Sequence, residues 1–181
     1  MPVCNPEPIE LEIDDYCLRL PHLNDVAGLT TGMGDRQVST MMASVPFPCP
    51  REVVSGWVEI VRARWASGVG AQFVIAGQNP VGVVGFSGFG TSADLGYWLL
   101  PSAQGKGLMT AAARAALTYA FTHGAKTVVS GAFADNPASL RVQQKLGFDI
   151  VGERRIYSLA RRDKVAHIDT RMTANTFLEN G

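Results

Sequence analysis

Between residues 51 and 66 the apolar positions Val53, Val54, Trp57, Ile60, Val61 and Trp65 recur at the spacing of a helix with one buried face. Elsewhere the pattern changes period. Residues 16–20 alternate like a first strand that stops at Pro21, and residues 72–76 and 81–89 read as two more strands joined by the turn Gly77-Gln78-Asn79-Pro80. Residues 94–100 form another short strand. A long alanine-rich helix is predicted over 106–123, with His123 near its negative end and Gly124 closing it. A buried-type strand follows at 127–132, then a helix over 137–146 ended by Gly147. A final hairpin pairs 149–157 with 164–172.

The N-terminal part is less regular. Residues 1–14 read as a loose arm, and Asn24 or Asp25 is placed to cap a helix carrying Val26, Ala27 and Leu29. The Met-rich stretch 32–44 is ambiguous, with a short second helix as the nearest reading. Pro46, Pro48 and Pro50 then enforce extended chain. There is no internal repeat, low-complexity tract or linker. The expectation is one α/β domain over residues 1–181, a mixed sheet of six or seven strands flanked by helices.

Composition narrows the class. The chain of 181 residues is long enough for a full core, and 46% hydrophobic with 18% charged residues indicates an ordered globular protein. Lys+Arg and Asp+Glu both number 16, so no overall field attracts nucleic acid or an anionic membrane. The pairs Arg154-Arg155 and Arg161-Arg162 remain as local basic clusters. Cys4, Cys17 and Cys49 are odd in number, scattered and without a C-x-x-C, so neither a disulfide framework nor zinc is indicated. No metal, no membrane and a cytoplasmic location are the expectations.

The chemistry concentrates in Leu95-Gly96-Tyr97-Trp98-Leu99-Leu100-Pro101-Ser102-Ala103-Gln104-Gly105-Lys106-Gly107-Leu108-Met109-Thr110. A strand, a glycine-containing turn and a helix start leave bare N–H donors at the positive end of the helix dipole, a geometry suited to phosphate. A Walker A loop fails, because Leu100 stands where its first glycine belongs and Gly107 replaces its Ser/Thr. A dinucleotide fingerprint begun at Gly105 and Gly107 is weak, since Thr110 occupies the third glycine position.

Gln104-x-x-Gly107 in that setting resembles the coenzyme-A pyrophosphate loop of the GNAT (GCN5-related) N-acetyltransferases, [RQ]-x-x-G-x-[GA]. Met109 departs from the last, usually small, position. The wider text L-G-Y-W-L-x-P-x-x-Q-G-K-G-L-M-T looks like the RimJ/RimL-type branch. A second block, Asn136-Pro137-Ala138-Ser139-Leu140-Arg141-Val142-Gln143-Gln144-Lys145-Leu146-Gly147-Phe148, is similar to that branch's N-x-A-S-x-R-V-x-x-K-L-G-F. The resemblance extends from about Leu18 to about Met172 and is specific between Asp94 and Phe148.

The resemblance implies the GNAT fold, a mostly antiparallel sheet whose strands splay apart at the end of the 95–100 strand. Pantetheine of acetyl-CoA would lie there against backbone groups of Trp98, Leu99 and Leu100. The pyrophosphate would sit on Gln104, Gly105, Lys106, Gly107, Leu108 and Met109, with Thr110 next. Asn136 would hold the pantetheine arm, and Ser139 would protonate the departing thiolate, although Asn136-Pro137-x-Ser139 is equally an ordinary helix start. Asp94 lies where many relatives carry Glu and would accept the ammonium proton through water, with a plain surface carboxylate as the bland alternative. His167 and Asp169 alternate onto one face of the last strand, toward the acceptor side.

The implied activity is transfer of acetyl from acetyl-CoA to a primary amine, either a protein N-terminus or a small molecule, by direct attack. The alternatives are a coenzyme-A-binding sensory protein without turnover and a transferase of longer acyl groups. A homodimer through the sheet edge or the early helices is compatible with this plan.

Overall fold

A computed structural model describes residues 9–10 and 16–179. Eight strands form the sheet: β1 (Ile9–Glu10), β2 (Cys17–Arg19), β3 (Ala71–Ala76), β4 (Pro80–Phe86), β5 (Ser92–Leu99), β6 (Thr127–Phe133), β7 (Asp149–Ser158) and β8 (Asp163–Thr173), in the order β1-β2-β3-β4-β5-β6-β8-β7. The helices are α1 (Val26–Gly34), α2 (Arg36–Ser39), α3 (Arg51–Ala66), α4 (Leu108–Thr122), α5 (Pro137–Leu146) and α6 (Ala174–Glu179). Every strand pairing is antiparallel except β5 with β6.

Side-chain alternation along β3 decides which helices cover which face. Phe73 and Ile75 join the core that holds Ala112, Ala113, Ala116 and Leu117 of α4. Val74 and Ala76 join the opposite core, with Val26 and Leu29 of α1 and Val54 and Val58 of α3. The alanines on the buried face of α4 let that helix lie close to the sheet, which explains its composition.

The parallel pairing of β5 with β6 positions the site. It covers only Ser92↔Thr127, Ala93↔Val128 and Asp94↔Val129, after which the strands part. On the other side β5 stays paired with β4 as far as Leu99↔Gly82. Ser130 is a buried polar residue on β6, and its Oγ donates to the Leu95 carbonyl across the start of the gap at 2.9 Å. The hydroxyl satisfies a carbonyl that has lost its ladder partner, as burial requires.

The pattern-based expectations place the main elements, with three differences. The sheet has eight strands rather than six or seven, because Ile9–Glu10 pairs with β2 inside the segment expected to be a loose arm; the rest of residues 1–14 lies outside the described residues. The Met-rich segment 32–44 divides into the end of α1 and the single-turn α2, whose N-cap Asp35 accepts from Gln37 N–H at 2.7 Å. Helix α6 is an addition, six residues packed on the core through Phe177. No helix among the described residues is long and apolar enough to cross a membrane.

Candidate active site

The parting of β5 and β6 opens the sheet to two cavities that meet at the gap. One, of about 1040 Å³, lies toward the N-termini of α4 and α5. The other, of about 710 Å³, lies beneath residues 41–45, α3 and the β6–β8–β7 face. Leu95, Gly96, Tyr97, Trp98, Ser130 and Gly131 line both.

The α4 end of the first cavity is shaped by a glycine turn, while Arg36, Gln37, Met41 and Met42 line another part of it. After β5 a 3-10 turn, Pro101–Ala103, leads into Gly105 (φ +78) and Gly107 (φ +83), the latter being the N-cap of α4. Left-handed backbone costs a side-chain-bearing residue about 1–2 kcal/mol, which is why glycines stand here. No side chain caps α4 and no acid sits in its first turn, so its first N–H groups face the cavity at the positive end of the dipole. The side chains of Leu108 and Met109 are buried in the core, so these residues offer backbone, not side chain, to a ligand.

Most of the residues expected around the coenzyme line this cavity: Trp98, Leu99, Gln104, Gly105, Gly107, Leu108, Met109, Thr110, Asn136 and Ser139. Leu100 and Lys106 do not. The Leu100 N–H is bonded to the Val81 carbonyl at 2.8 Å, and Lys106 is exposed on the turn. The Trp98 carbonyl lies against Gly82 of β4. Because backbone groups alternate along a strand, those of Tyr97 and Leu99, not those of Trp98 and Leu100, turn toward the gap. The Leu99 carbonyl is already taken by Gln104 Nε2 at 2.9 Å, so Gln104 braces the strand end.

Asn136 is the N-cap of α5, its Oδ1 accepting from Ser139 N–H at 3.2 Å. Ser139 Oγ lies 2.9 Å from the Tyr97 hydroxyl and accepts from Gln143 Nε2 at 3.4 Å. Gln143 also donates to the Tyr97 hydroxyl (3.1 Å) and the Gly131 carbonyl (3.1 Å), and its Oε1 accepts from Thr170 Oγ1 at 2.6 Å. Gln143 and Thr170 are buried. Burial pushes the Tyr97 phenol above its ordinary value against the pull of its bonds to Ser139 and Gln143, so it keeps its proton at neutral pH. Sequence reasoning left Tyr97, Gln143 and Thr170 out of the site. The available signal was Gln143 itself, a polar residue four positions from Ser139 on the buried side of an amphipathic helix.

The second cavity is built of side chains. Asp94 lies on its wall, exposed, with its Oδ2 3.5 Å from Ser87 Oγ. Met33, Met41, Met42 and Trp57 supply apolar surface, which places Trp57 at a cavity rather than wholly in the core. His167 and Asp169 reach the same wall, Nδ1 of His167 being 2.9 Å from Asp169 Oδ1, and Arg154 Nε is 2.9 Å from Asp169 Oδ2. Arg161 stacks over the Phe133 ring, paired with Asp135 at 2.6 Å and with its Nε donating to the Thr40 carbonyl at 2.6 Å. The basic clusters noted in the sequence are thus partly engaged with carboxylates.

Residues 15–149 match the acetyltransferase (GNAT) domain family. The chain belongs to the GNAT acetyltransferase family. Its members depend on acetyl-CoA. Among solved structures, the RimL ribosomal L7/L12 alpha-N-protein acetyltransferase in complex with coenzyme A is 21% identical, with a TM-score of 0.83 over 94% of this chain and 99% of that one. Mycobacterium smegmatis RimJ in complex with CoA-disulfide is 20% identical, with a TM-score of 0.81 over 96% and 88%. The microcin C7 self-immunity acetyltransferase MccE, in complex with acetyl-CoA and AMP, is 20% identical, with a TM-score of 0.78 over 88% and 93%. At these identities the likeness establishes the fold. No curated protein matches the chain.

Proposed function

We propose that this GNAT acetyltransferase moves the acetyl group of acetyl-CoA to a primary amine by direct attack of the amine on the thioester. The carrying observation is the meeting of the two cavities at the β5–β6 gap. A coenzyme entering from the α4 side and an amine entering from the β8 side reach one another across that gap. The CoA-bound RimL and RimJ structures, similar in fold, support the assignment of the first cavity to coenzyme.

In this reading the α4 N-terminus and the Gly105–Gly107 turn bind pyrophosphate through backbone N–H groups. Pantetheine runs along the gap past the backbone of Tyr97 and Leu99, with the Asn136 amide nitrogen beside it. Aminolysis then needs a neutral amine, support for the tetrahedral oxyanion and a proton for sulfur. Ser139 supplies that proton, with the Tyr97 phenol behind it at 2.9 Å as its source. Asp94 draws the cationic acceptor into the second cavity. The acceptor is either a protein N-terminus, as the RimL description states for that protein, or a small amine.

The test is acceptor-dependent release of coenzyme-A thiol from acetyl-CoA, read with a thiol reagent across peptides with free N-termini and small amines. Release that needs both acetyl-CoA and an amine, with the acetylated amine found by mass spectrometry, is expected. A folded protein that binds acetyl-CoA and acetylates none of them contradicts the reading.

A further inference from the structure

We propose that His167 takes the ammonium proton of the acceptor, with Asp169 and Arg154 holding the imidazole for that role; the inference rests on the acetyltransferase reading above. Three observations converge on this ring. First, Asp169 is an acceptor at 2.9 Å from Nδ1, so in the neutral ring Nδ1 carries the hydrogen and Nε2 keeps its lone pair. Asp169 is itself fixed by Arg154 Nε at 2.9 and 3.0 Å from its two oxygens. Second, Nε2 has no hydrogen-bond partner among the described residues, although only 14% of the side chain is exposed. Third, the ring lies edge-on against Phe133 and directly over Gly131. A Cβ on Gly131 would collide with the imidazole Cε1 and come within 3.0 Å of Nε2. Gly131 lines both cavities, so its missing side chain admits the lone pair of Nε2 to the place where they meet.

The step balances without any further reagent. An acceptor N–H bond breaks, its electron pair stays on nitrogen and the proton goes to Nε2; the imidazolium so formed is held against Asp169. The nitrogen pair forms the C–N bond at the thioester carbon as the C=O π pair moves onto oxygen, from where it re-forms the carbonyl on collapse. On collapse the C–S bond breaks, sulfur takes a proton from Ser139, and the second nitrogen proton restores the Ser139–Tyr97 pair. Asp94, exposed at the same cavity with only a 3.5 Å contact to Ser87 Oγ, has no comparable positioning. The charged groups around the ring are Asp169 on its own strand, Arg154 on β7, Asp94 on β5, and the Arg161–Asp135 pair beyond Phe133.

The experiment is a pH profile of kcat/KM for wild type, His167→Gln, Asp169→Asn and Asp94→Asn. The acceptor is whichever of an N-terminal-serine hexapeptide, an N-terminal-alanine hexapeptide or spermidine the wild type acetylates fastest. Acetyl-CoA affinity, which His167 does not touch, reports that each variant is folded. Wild type uses the cationic amine with a neutral imidazole, so its rate stays level below the pKa of the amine and falls only where His167 itself is protonated. His167→Gln must wait for neutral amine, so its rate climbs about tenfold per pH unit. A loss of about 100-fold at pH 7 then shrinks to about tenfold or less at pH 9. Asp169→Asn gives a smaller loss of the same shape. Nitrogen NMR of wild type adds a reading independent of turnover and shows the Nδ1–H tautomer of His167 at alkaline pH. A His167→Gln profile parallel to wild type and within threefold of it overturns the proposal, as does an Nε2–H tautomer, or an Asp94→Asn variant that alone changes the profile. Those outcomes leave the acetyltransferase reading standing, whereas a wild type that binds no acetyl-CoA removes both.

Discussion

The two cavities that meet at the β5–β6 gap are made of different material. The α4 side offers backbone N–H groups shaped by Gly105 and Gly107, with the side chains of Leu108 and Met109 turned into the core. The β8 side offers side chains from separated stretches of sequence, among them Met33, Trp57, Asp94, Arg154, and His167 with Asp169. A backbone site binds what many related chains bind and is encoded in one contiguous motif. A side-chain site is assembled by topology and can change its ligand one residue at a time. The difference explains why membership of the acetyltransferase family points to a coenzyme far better than to an acceptor.

Damage to the first cavity should therefore be severe and should come from backbone positions. Gly107→Glu places a side chain at φ +83 and a negative charge at the helix entrance. Acetyl-CoA affinity falls by about 100-fold or more, measured by calorimetry with circular dichroism showing a folded chain. Normal affinity in that variant would refute the pyrophosphate placement.

The junction between the cavities is the next sensitive place. Ser139→Ala lowers kcat by about 100-fold at saturating acetyl-CoA, and Tyr97→Phe by about tenfold, while KM for acetyl-CoA stays within about threefold. An unchanged kcat in Ser139→Ala would leave the hydroxyl pair a structural contact and move the proton donor elsewhere.

Behind the junction, Thr170→Val keeps the shape and strands the Gln143 Oε1 acceptor in a buried place. The expected cost is about 1–3 kcal/mol. For a chain of this length that is a fall in Tm of about 2–4 °C per kcal/mol. An unchanged Tm would show that the Thr170–Gln143 bond between β8 and α5 does not contribute to stability.

The smallest effect lies away from both cavities, where Arg19 grips Asp25 with two bonds of 2.8 Å and His22 N–H adds a third at 2.7 Å. Burial alone would raise the Asp25 carboxyl, but those bonds outweigh it and hold it below the ordinary value. Its stabilising effect is full above the ordinary carboxylate range and is lost as pH falls through the depressed value. Asp25→Asn accordingly lowers Tm at pH 7, and the gap to wild type narrows below about pH 4 in a thermal melt series. A gap independent of pH would mean the ion pair contributes little.

What was legible in the sequence follows the same division. The hydrophobic periods placed α3 and α5 at their observed bounds, because each helix carries its own apolar stripe and end signals. The glycine turn into α4 was readable for the same local reason; that Leu100 turns its N–H to β4 and Lys106 is exposed away from the cavity was not. The Tyr97–Ser139–Gln143–Thr170 network was not legible, since it joins β5, α5 and β8 through pairings that no local pattern specifies. His167 and Asp169 could be put on one face of a strand, but only the register Phe133↔His167 and Gly131↔Asp169 sets them at the gap.

The central claim is that the gap and the α4 entrance form an acetyl-CoA site. Calorimetric titration of the purified chain with acetyl-CoA, with NAD and ATP as controls, tests it most directly. Saturable one-to-one binding of acetyl-CoA alone is the predicted result; a folded chain that binds none, or binds ATP or NAD equally well, would contradict it.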